Sequence, residues 1–407
     1  MEERAAASVE AVFREEHGRL LAALVRRYGD LDLAEEVTSE AIEAALRHWP
    51  SEGVPPRPGA WLMTTARRRA VDRLRRDQVL ATRLAMLRVE ADRAGPVPPA
   101  EPGADLPDER LQLFFTCAHP ALAAEDRIVL ILRCLGGLTT PEVARALLVP
   151  AETMAKRITR AKKKIREARI PFRVPGADEL PERLPVVLQA VYSIFTEGYA
   201  GQRSDLAEEA IRLTRILYRL LPGEREIPGL LALMLLVHAR RDARAEADLL
   251  EDQDRARWDR RMIAEGQELV VTALSGGPPG PYGVQAAIAA LHDEAAGFAS
   301  TDWPQIVALY DILLRLTPSP IVALNRAAAV AMRDGPQAGL DLLDDLADEP
   351  RLRAHHPYPT ARAFLLERLG RRREAADAYR DALRLAGTEP ERALLRRRLD
   401  SVLGGGG

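Results

Sequence analysis

The chain has 407 residues and a formal net charge of −2, with 47% hydrophobic, 29% charged and 5% aromatic residues. This length allows two or three domains, and the composition excludes a disordered or fibrous protein because it can bury a sizeable core. Alanine, leucine and arginine are abundant, which favours helices over sheets. The first residues are charged and no apolar run reaches membrane-spanning length, so we expect a cytoplasmic protein without a membrane segment.

Charge is distributed unevenly along the chain. Residues 1–174 carry a net charge of +4, and residues 175–407 carry a net charge of −6. The four lysines of the chain, Lys156 and Lys162 to Lys164, fall within nine residues of each other. A mildly basic front half joined to an acidic back half justifies a partner hypothesis.

Residues 8–94 are predicted to form a first small helical domain. One of its helices has an apolar stripe at helical spacing, formed by Leu33, Val37 and Ala41. The opposite face of the same helix is acidic and contains Glu35, Glu36, Glu40 and Glu43.

The next predicted helix, within residues 57–77, combines a tryptophan with six arginines. Its candidate nucleic-acid contacts are Trp61, Arg67, Arg68, Arg69, Arg73 and Arg76. A basic helix that starts with a tryptophan can follow a phosphate backbone and stack unpaired bases. Taken alone, however, a core tryptophan beside a solvated arginine face is the better interpretation.

Residues 95–107 are predicted to be a linker. Five prolines and two glycines in thirteen residues exclude helix and sheet and favour a semi-rigid, extended tether. This is the strongest candidate for a domain boundary. A second boundary is predicted between Pro171 and Leu180.

Residues 108–170 are predicted to form a second small domain that contains a helix-turn-helix. A buried helix over 124–133 ends at Gly136-Gly137, and a short helix over 141–148 follows. Either Thr139 with Glu142 as a capping box, or Thr140 followed by Pro141, can start the short helix.

The second helix of this motif runs from Ala151 to about Ala168. Its apolar stripe is Met154, Ile158, Ala161 and Ile165. Its other faces are strongly basic, which suits the major groove of DNA. The candidate DNA contacts on this helix are Thr153, Lys156, Arg157, Arg160, Lys163 and Lys164.

Residues 181–403 are predicted to form a large helical extension with weak internal repeats. Pro281, Pro320 and Pro359 are spaced 39 residues apart, and each opens an apolar helix that a second helix follows. The last of these units looks like a tetratricopeptide repeat, with a Leu-Gly turn and a closing proline. The predicted units lie near 281–318, 320–356 and 359–392.

Several groups of residues could be mistaken for metal ligands. Cys117 and Cys134 give neither a disulfide framework nor a zinc spacing, and we expect both to be buried in helices. The acidic stretch 250–259 lacks the glycine and spacing of a calcium loop, so a capped helix start with Arg–Asp pairs explains it better. His355-His356 together with His292 could suggest a metal site, but adjacent histidines beside Pro357 are better explained as a polar loop. We therefore predict no catalytic residue, no metal and no cofactor.

The two N-terminal modules together resemble bacterial sigma factors of the extracytoplasmic-function class, within the sigma-70 family. Leu33 to Glu40 resembles the acidic helix of region 2 in that family, and Ala60 to Arg76 resembles its AWL…A-R…D-x-x-R-R helix. Residues 109–169 are similar to region 4. The Val149-Pro150 turn and Ala155 depart from the usual pattern, which leaves the promoter sequence open. The helical extension resembles that of one subgroup, in which it is implied to replace a separate anti-sigma protein.

The resemblance implies an all-α protein with three working surfaces. The acidic helix, through Glu35, Glu36 and Glu40, would bind the clamp helices of core RNA polymerase, whose flap is a further expected contact. The helix from Trp61 to Arg76 would hold the opened −10 element of promoter DNA. The second helix of region 4 would read the −35 element. The extension would contact the sigma domains as an inhibitor or as an activator.

Two other interpretations stay open at this stage. A one-component regulator, with a helix-turn-helix and a ligand- or peptide-sensing helical domain, explains residues 108–407 but gives the first domain no task. An enzyme built on the extension has only the acidic cluster in its favour, without a nucleophile–base pair or a phosphate loop.

Overall fold

The computed structural model describes residues 16–85, 109–200, 204–244, 249–353, 355–387 and 389–404. These residues form helices and connecting turns, with no strand among them, as the all-α prediction requires. The fold divides into two compact units between Leu220 and Leu221. The predicted linker 95–107 lies outside the described residues.

The first unit begins with three helices. They are α1 (16–28), α2 (Leu31–Glu52) and α3 (Pro58–Ala85). Asp30 caps α2, because its carboxylate accepts hydrogen bonds from the backbone N–H groups of Asp32 and Leu33 at 2.8 and 3.1 Å. Val37 and Ala41 of the predicted α2 stripe are buried and Leu33 is half-buried, and α2 packs against α3.

Four further helices form the second block of the first unit. They are α4 (Arg110–Cys117), α5 (Ala124–Cys134), α6 (Thr140–Ala146) and α7 (Ala151–Glu167). The predicted helix-turn-helix is present as α6 and α7. Of the two predicted starts for α6, the structure has the capping box formed by Thr139 and Glu142. Cys117 and Cys134 are buried in α4 and α5, as expected.

Two helices complete the first unit, α8 (Leu180–Ala200) and α9 (Ser204–Leu220). Helix α8 packs against α4 and α5 as well as against α9. Arg183 on α8 donates a hydrogen bond to the carbonyl of Phe115 at 2.8 Å. The first two helices of the predicted extension therefore belong to the same compact unit as the helix-turn-helix.

The second unit continues with ten helices among the described residues. They are α10 (Glu226–His238), α11 (Arg241–Arg244), α12 (Arg260–Leu274), α13 (Pro281–Glu294), α14 (Trp303–Leu316), α15 (Pro320–Asp334), α16 (Pro336–Asp344), α17 (Pro357–Arg368), α18 (Arg372–Leu385) and α19 (Glu389–Gly404). Helices α13 to α19 pack in sequence, each against its neighbour. None of the described helices is both long and apolar enough to span a bilayer.

The predicted repeat units correspond to helix pairs. Pro281 and Pro320 open α13 and α15, whereas Pro359 lies in the first turn of α17, which starts at Pro357. The second helices of the three pairs are α14, α16 and α18. One apolar core lies between α13, α14 and α15, and a second runs from α15 to α19. Such pairs bury their apolar faces by stacking on their neighbours.

Candidate nucleic-acid interface

The turn between α6 and α7 contains a residue with an unusual backbone conformation. Leu148 has a φ of +52°, in the left-handed region, and its side chain is 80% exposed. The N–H groups of Leu148 and Val149 donate to the carbonyls of Arg145 and Ala144 at 3.3 and 2.9 Å. This is the bonding pattern of a Schellman cap, which usually has glycine at the left-handed position.

Helix α7 presents its basic face to solvent. The predicted stripe of Met154, Ile158, Ala161 and Ile165 is buried, as expected. The predicted DNA contacts are exposed except for one half-buried residue, Arg157: Thr153, Lys156, Arg157, Arg160, Lys163 and Lys164.

Two lysines of α7 form ion pairs with residues of the same helix. Lys156 pairs with Glu152 at 2.6 Å and Lys163 with Glu167 at 3.5 Å. Such exposed pairs contribute little, so phosphate oxygens can replace the carboxylates at small cost.

The second predicted DNA surface lies on α3. Trp61 is half-buried, with its ring edge-on to the buried Trp49 at 5.4 Å between centroids. The arginines of this predicted surface are exposed at Arg68, Arg69 and Arg76 and half-buried at Arg67 and Arg73. Trp61 is therefore both part of the packing between α2 and α3 and partly open to solvent.

Two of these arginines pair with the acidic face of α2. Arg73 bridges Glu36 at 2.5 Å and Glu40 at 3.3 Å, and Arg69 approaches Glu40 at 3.7 Å. The structure thus joins predicted polymerase contacts to predicted DNA contacts across one helix pair.

The third predicted polymerase contact, Glu35, is buried. Its side chain is 7% exposed and lies between Lys162 of α7, with which it forms an ion pair, and Arg133 of α5, at 3.3 Å. Asp32 extends the cluster, with its carboxylate 3.1 Å from Lys162 and 2.6 Å from Arg166. Region 4-like and region 2-like helices are therefore joined by a charged cluster, which we call the α2–α7 clamp.

The carboxylates of the α2–α7 clamp keep Lys162 charged. Burial alone lowers the pKa of Lys162, but attraction to Glu35 and hydrogen bonds to Glu35 and Asp32 outweigh burial and raise this pKa above its ordinary value. Lys162 therefore stays charged at neutral pH. Separating Lys162 from Glu35 and Asp32 costs free energy unless new partners replace these carboxylates.

The sequence did not identify Lys162, Arg166, Asp32 or Arg133 as members of one cluster. A signal existed for Lys162, which is four residues after the buried Ile158 and next to the buried Ala161. That position flanks the packed stripe, so its side chain lies beside the interior and not on the open face. The partner carboxylates on α2 are more than a hundred residues away, and helical spacing cannot indicate them.

A buried histidine lies close to the same junction. His17 of α1 packs against Gly137, which has a φ of +72° and would bring an added Cβ within 3.2 Å of the imidazole. Burial, followed by repulsion from Arg133, lowers the pKa of His17 to about 3. The imidazole is therefore neutral in the folded unit.

The acidic stretch 250–259 has a structural role, as predicted. Asp259 caps α12, accepting from the N–H groups of Arg261 and Met262 at 2.9 and 3.1 Å. The ring of Trp258 lies near two guanidinium groups, with Arg255 4.5 Å and Arg240 5.1 Å from its centroid. Among the described residues, no group of three or more potential ligands could hold a metal ion.

Comparison with known proteins gives a consistent result along the chain. Residues 12–79 match the family described as Sigma-70 region 2, and residues 115–165 match Sigma-70, region 4. Residues 183–274 match a family of unknown function, DUF6596. An uncharacterized protein of Rhizobium meliloti (strain 1021) is 44% identical over 395 residues, which cover 94% of this chain and 93% of that protein. The region 2 match contains α1, α2 and most of α3, and the region 4 match contains α5, α6 and most of α7.

Proposed function

Because the chain belongs to the sigma-70 family, as an extracytoplasmic-function sigma factor with an additional C-terminal domain, we propose that it binds core RNA polymerase and directs DNA opening and transcription initiation. The observation that carries this proposal is the presence of both sigma modules in one chain, each with an exposed basic helix. A sigma factor positions DNA and polymerase and makes no covalent change itself. We place the protein in the cytoplasm, where the polymerase and the DNA are found.

In this proposal α7 reads the −35 element. Its exposed Arg160, Lys163 and Lys164 are available to phosphates and base edges without unfolding of the helix. Arginine and lysine provide the bidentate and ionic contacts that the major groove accepts. Thr153, Lys156 and Arg157 complete the surface.

The α3 surface engages the −10 element and its unpaired strand. Extruding a base costs a few kcal/mol, so stacking and phosphate contacts must offset it. The half-exposed ring of Trp61 and the guanidinium groups of Arg68 and Arg76 can provide such contacts. Arg67, Arg69 and Arg73 contribute positive charge beside them.

The acidic face of α2 binds the clamp helices of the polymerase. Glu36 and Glu40 are accessible for this, whereas Glu35 is held in the α2–α7 clamp. We infer that polymerase binding at Glu35 requires α7 to separate from α2. The same separation frees Lys162 and Arg166 for DNA phosphates, so polymerase and promoter would favour the same open arrangement.

The extension is proposed to regulate this opening. Packing of α8 on α4 and α5, and the hydrogen bond from Arg183 to Phe115, support a direct influence on the helix-turn-helix block. A one-component regulator is the alternative, and it would require DNA binding without polymerase.

The proposal is tested by titrating labelled full-length chain with purified core polymerase and following fluorescence anisotropy. We expect saturable binding that Glu36→Gln weakens. For the resulting holoenzyme, the logarithm of the DNA-binding constant falls linearly with the logarithm of the salt concentration. Arg160→Ala and Lys164→Ala should each make this slope shallower by about one unit. Arg351→Ala, an exposed charge in the second unit, is the matched control. Absence of polymerase binding, with tight DNA binding by the chain alone, would favour the one-component regulator.

A further inference from the structure

The second unit contains a partly open cavity that the sigma modules do not explain. Its volume is about 450 Å³, and its walls come from α13 to α15, α17 to α19 and the segment before α12. The residues that line it lie between Leu249 and Arg398, entirely within the second unit. Pockets for small molecules commonly have volumes of this order.

The wall of the cavity is largely apolar and rich in aromatic rings. The rings are those of Phe298, Trp303, Tyr310, Phe364 and Tyr379. Aliphatic side chains such as Ile306 and Leu324 fill the spaces between them. Aromatic faces and edges favour a flat ring as occupant, because offset-stacked and edge-on contacts add to the burial of apolar area.

Two histidines, His292 and His356, also line the cavity. The Nε2 atom of His356 lies 3.3 Å from a carboxylate oxygen of Glu391, and the Nδ1 atoms of both imidazoles are shielded inside the protein. Burial, followed by repulsion from Arg240, lowers the pKa of His292 to about 4, so that this imidazole is neutral.

The charges on the wall offset one another. Arg398 lies 3.3 Å from Glu251 and 3.7 Å from Asp252, and among the described residues no other lysine, arginine or carboxylate lines the cavity. A charged ligand would therefore lose its hydration without gaining a free counter-ion. The chemistry of the wall favours an uncharged molecule.

We propose that this cavity is a binding site for an uncharged, aromatic small molecule. The proposal concerns the second unit alone and does not depend on the sigma-factor function. In a sigma factor, such a site gives the extension a chemical signal to respond to.

The test uses two dyes that differ by one charge. N-phenyl-1-naphthylamine is uncharged and aromatic, and its emission rises in an apolar site. Its sulfonated relative, 8-anilinonaphthalene-1-sulfonate, is the anionic comparison. Full-length chain should bind the uncharged dye saturably, with one dye per chain and higher affinity than for the sulfonate.

Variants locate the binding. Ala328 is an exposed residue of α15 that lines the cavity, and Ala308 is an exposed residue of α14 outside it. Ala328→Trp should weaken dye binding about tenfold or more by filling the cavity, and Ala328→Leu should weaken it less. Ala308→Trp is the matched control and should bind like the native chain. Circular dichroism of each variant confirms folding.

Any of three results would overturn the proposal. One is the absence of saturable binding of the uncharged dye. Another is binding that both Ala328 variants leave unchanged, since the dye would then lie elsewhere. If Ala328→Trp does not fold, the graded loss with Ala328→Leu decides the matter. Equal or tighter binding of the sulfonate contradicts the charge assignment.

Discussion

At the scale of single residues, the first unit depends on charged side chains held away from water. Glu35 and Lys162 are both nearly buried, and each has a second partner, Arg133 for Glu35 and Asp32 for Lys162. A buried ion pair is seldom more stable than a well-packed apolar pair, but it is costly to break from one side. The cluster therefore suits a specific contact between α2 and α7 that separates when a competing charged partner binds its members.

His17 makes the first unit sensitive to acid. Its folded-state pKa of about 3 lies below the ordinary 6.5, so the unfolded chain binds the proton first as pH falls. Stability is full above pH 6.5 and decreases between pH 6.5 and about 3, by at most about 1.4 kcal/mol per pH unit. His17→Gln should flatten this decrease in urea denaturation between pH 6.5 and 5.

Nuclear magnetic resonance of labelled imidazoles checks the same prediction directly. The His17 resonance, assigned by its loss in His17→Gln, should not titrate above pH 4. His292 in the other unit has a pKa lowered to about 4 and gives a second low-pKa imidazole for comparison. Titration of His17 near its ordinary value would show that solvent reaches the junction of α1 with Gly137.

Replacing Leu148 by glycine should stabilise the protein. A leucine in the left-handed region is strained by about 1–2 kcal/mol, and glycine avoids that strain at a smaller entropic cost. Because the side chain is 80% exposed, little buried area is lost. Leu148→Gly should raise unfolding free energy by about 0.5–1 kcal/mol, measured by chemical denaturation. Leu148→Ala keeps the strain and should be neutral, and a large loss with glycine would mean that the leucine has a packing role.

At the scale of elements, the contact between α2 and α7 connects stability to function. Lys162→Met removes the lysine from the clamp and leaves Arg133 as the ion-pair partner of Glu35, so we expect a loss of about 1–3 kcal/mol in unfolding free energy. The same change should tighten binding to core polymerase, because less energy is needed to separate α7 from α2. Lys163→Met, at the next and exposed position, is the matched control and should change neither quantity.

Weaker polymerase binding by Lys162→Met, with the control unchanged, would refute the idea that the clamp opposes polymerase binding. The comparison needs both variants folded, which thermal denaturation establishes. Affinity is measured by anisotropy at one fixed salt concentration, since exposed charges are screened by salt.

Local elements were predictable from the sequence because their causes are local. The stripe of Met154, Ile158, Ala161 and Ile165, the Thr139–Glu142 capping box and the helix pairs after Pro281 all follow from spacing and capping within a few residues. The clamp was not predictable, because Asp32 and Lys162 are brought together by tertiary packing. The left-handed backbone at Leu148 was missed because glycine or asparagine, the usual signal, is absent there.

At the scale of the whole molecule, the extension belongs to two compact units. Helices α8 and α9 lie in the unit that contains the helix-turn-helix, and α10 to α19 form the other. Leu184, Val187, Leu188 and Val191 of α8 are buried. A cut before α8 therefore removes core residues, whereas a cut after Leu220 follows the division between units.

Two truncations distinguish structure from regulation. The chain ending at Leu220 should keep a first unit that unfolds cooperatively. The chain ending at Arg173 should lose several kcal/mol of unfolding free energy, because it uncovers the apolar sides of α4 and α5. Each Å² of apolar surface left exposed costs about 25 cal/mol. Both are measured by chemical denaturation and by transcription from the cognate promoter. If the chain ending at Leu220 has the activity of the full chain under all conditions, the second unit has no regulatory role.

The sigma-factor proposal is most directly tested by run-off transcription with genomic DNA from the organism that encodes the chain. Core polymerase with full-length protein should start transcripts at a small set of sites, each preceded by two shared elements near −10 and −35. Trp61→Ala should reduce starts on duplex DNA more than on DNA with a preformed bubble. Transcripts that start at the same positions with and without the protein would contradict the proposal.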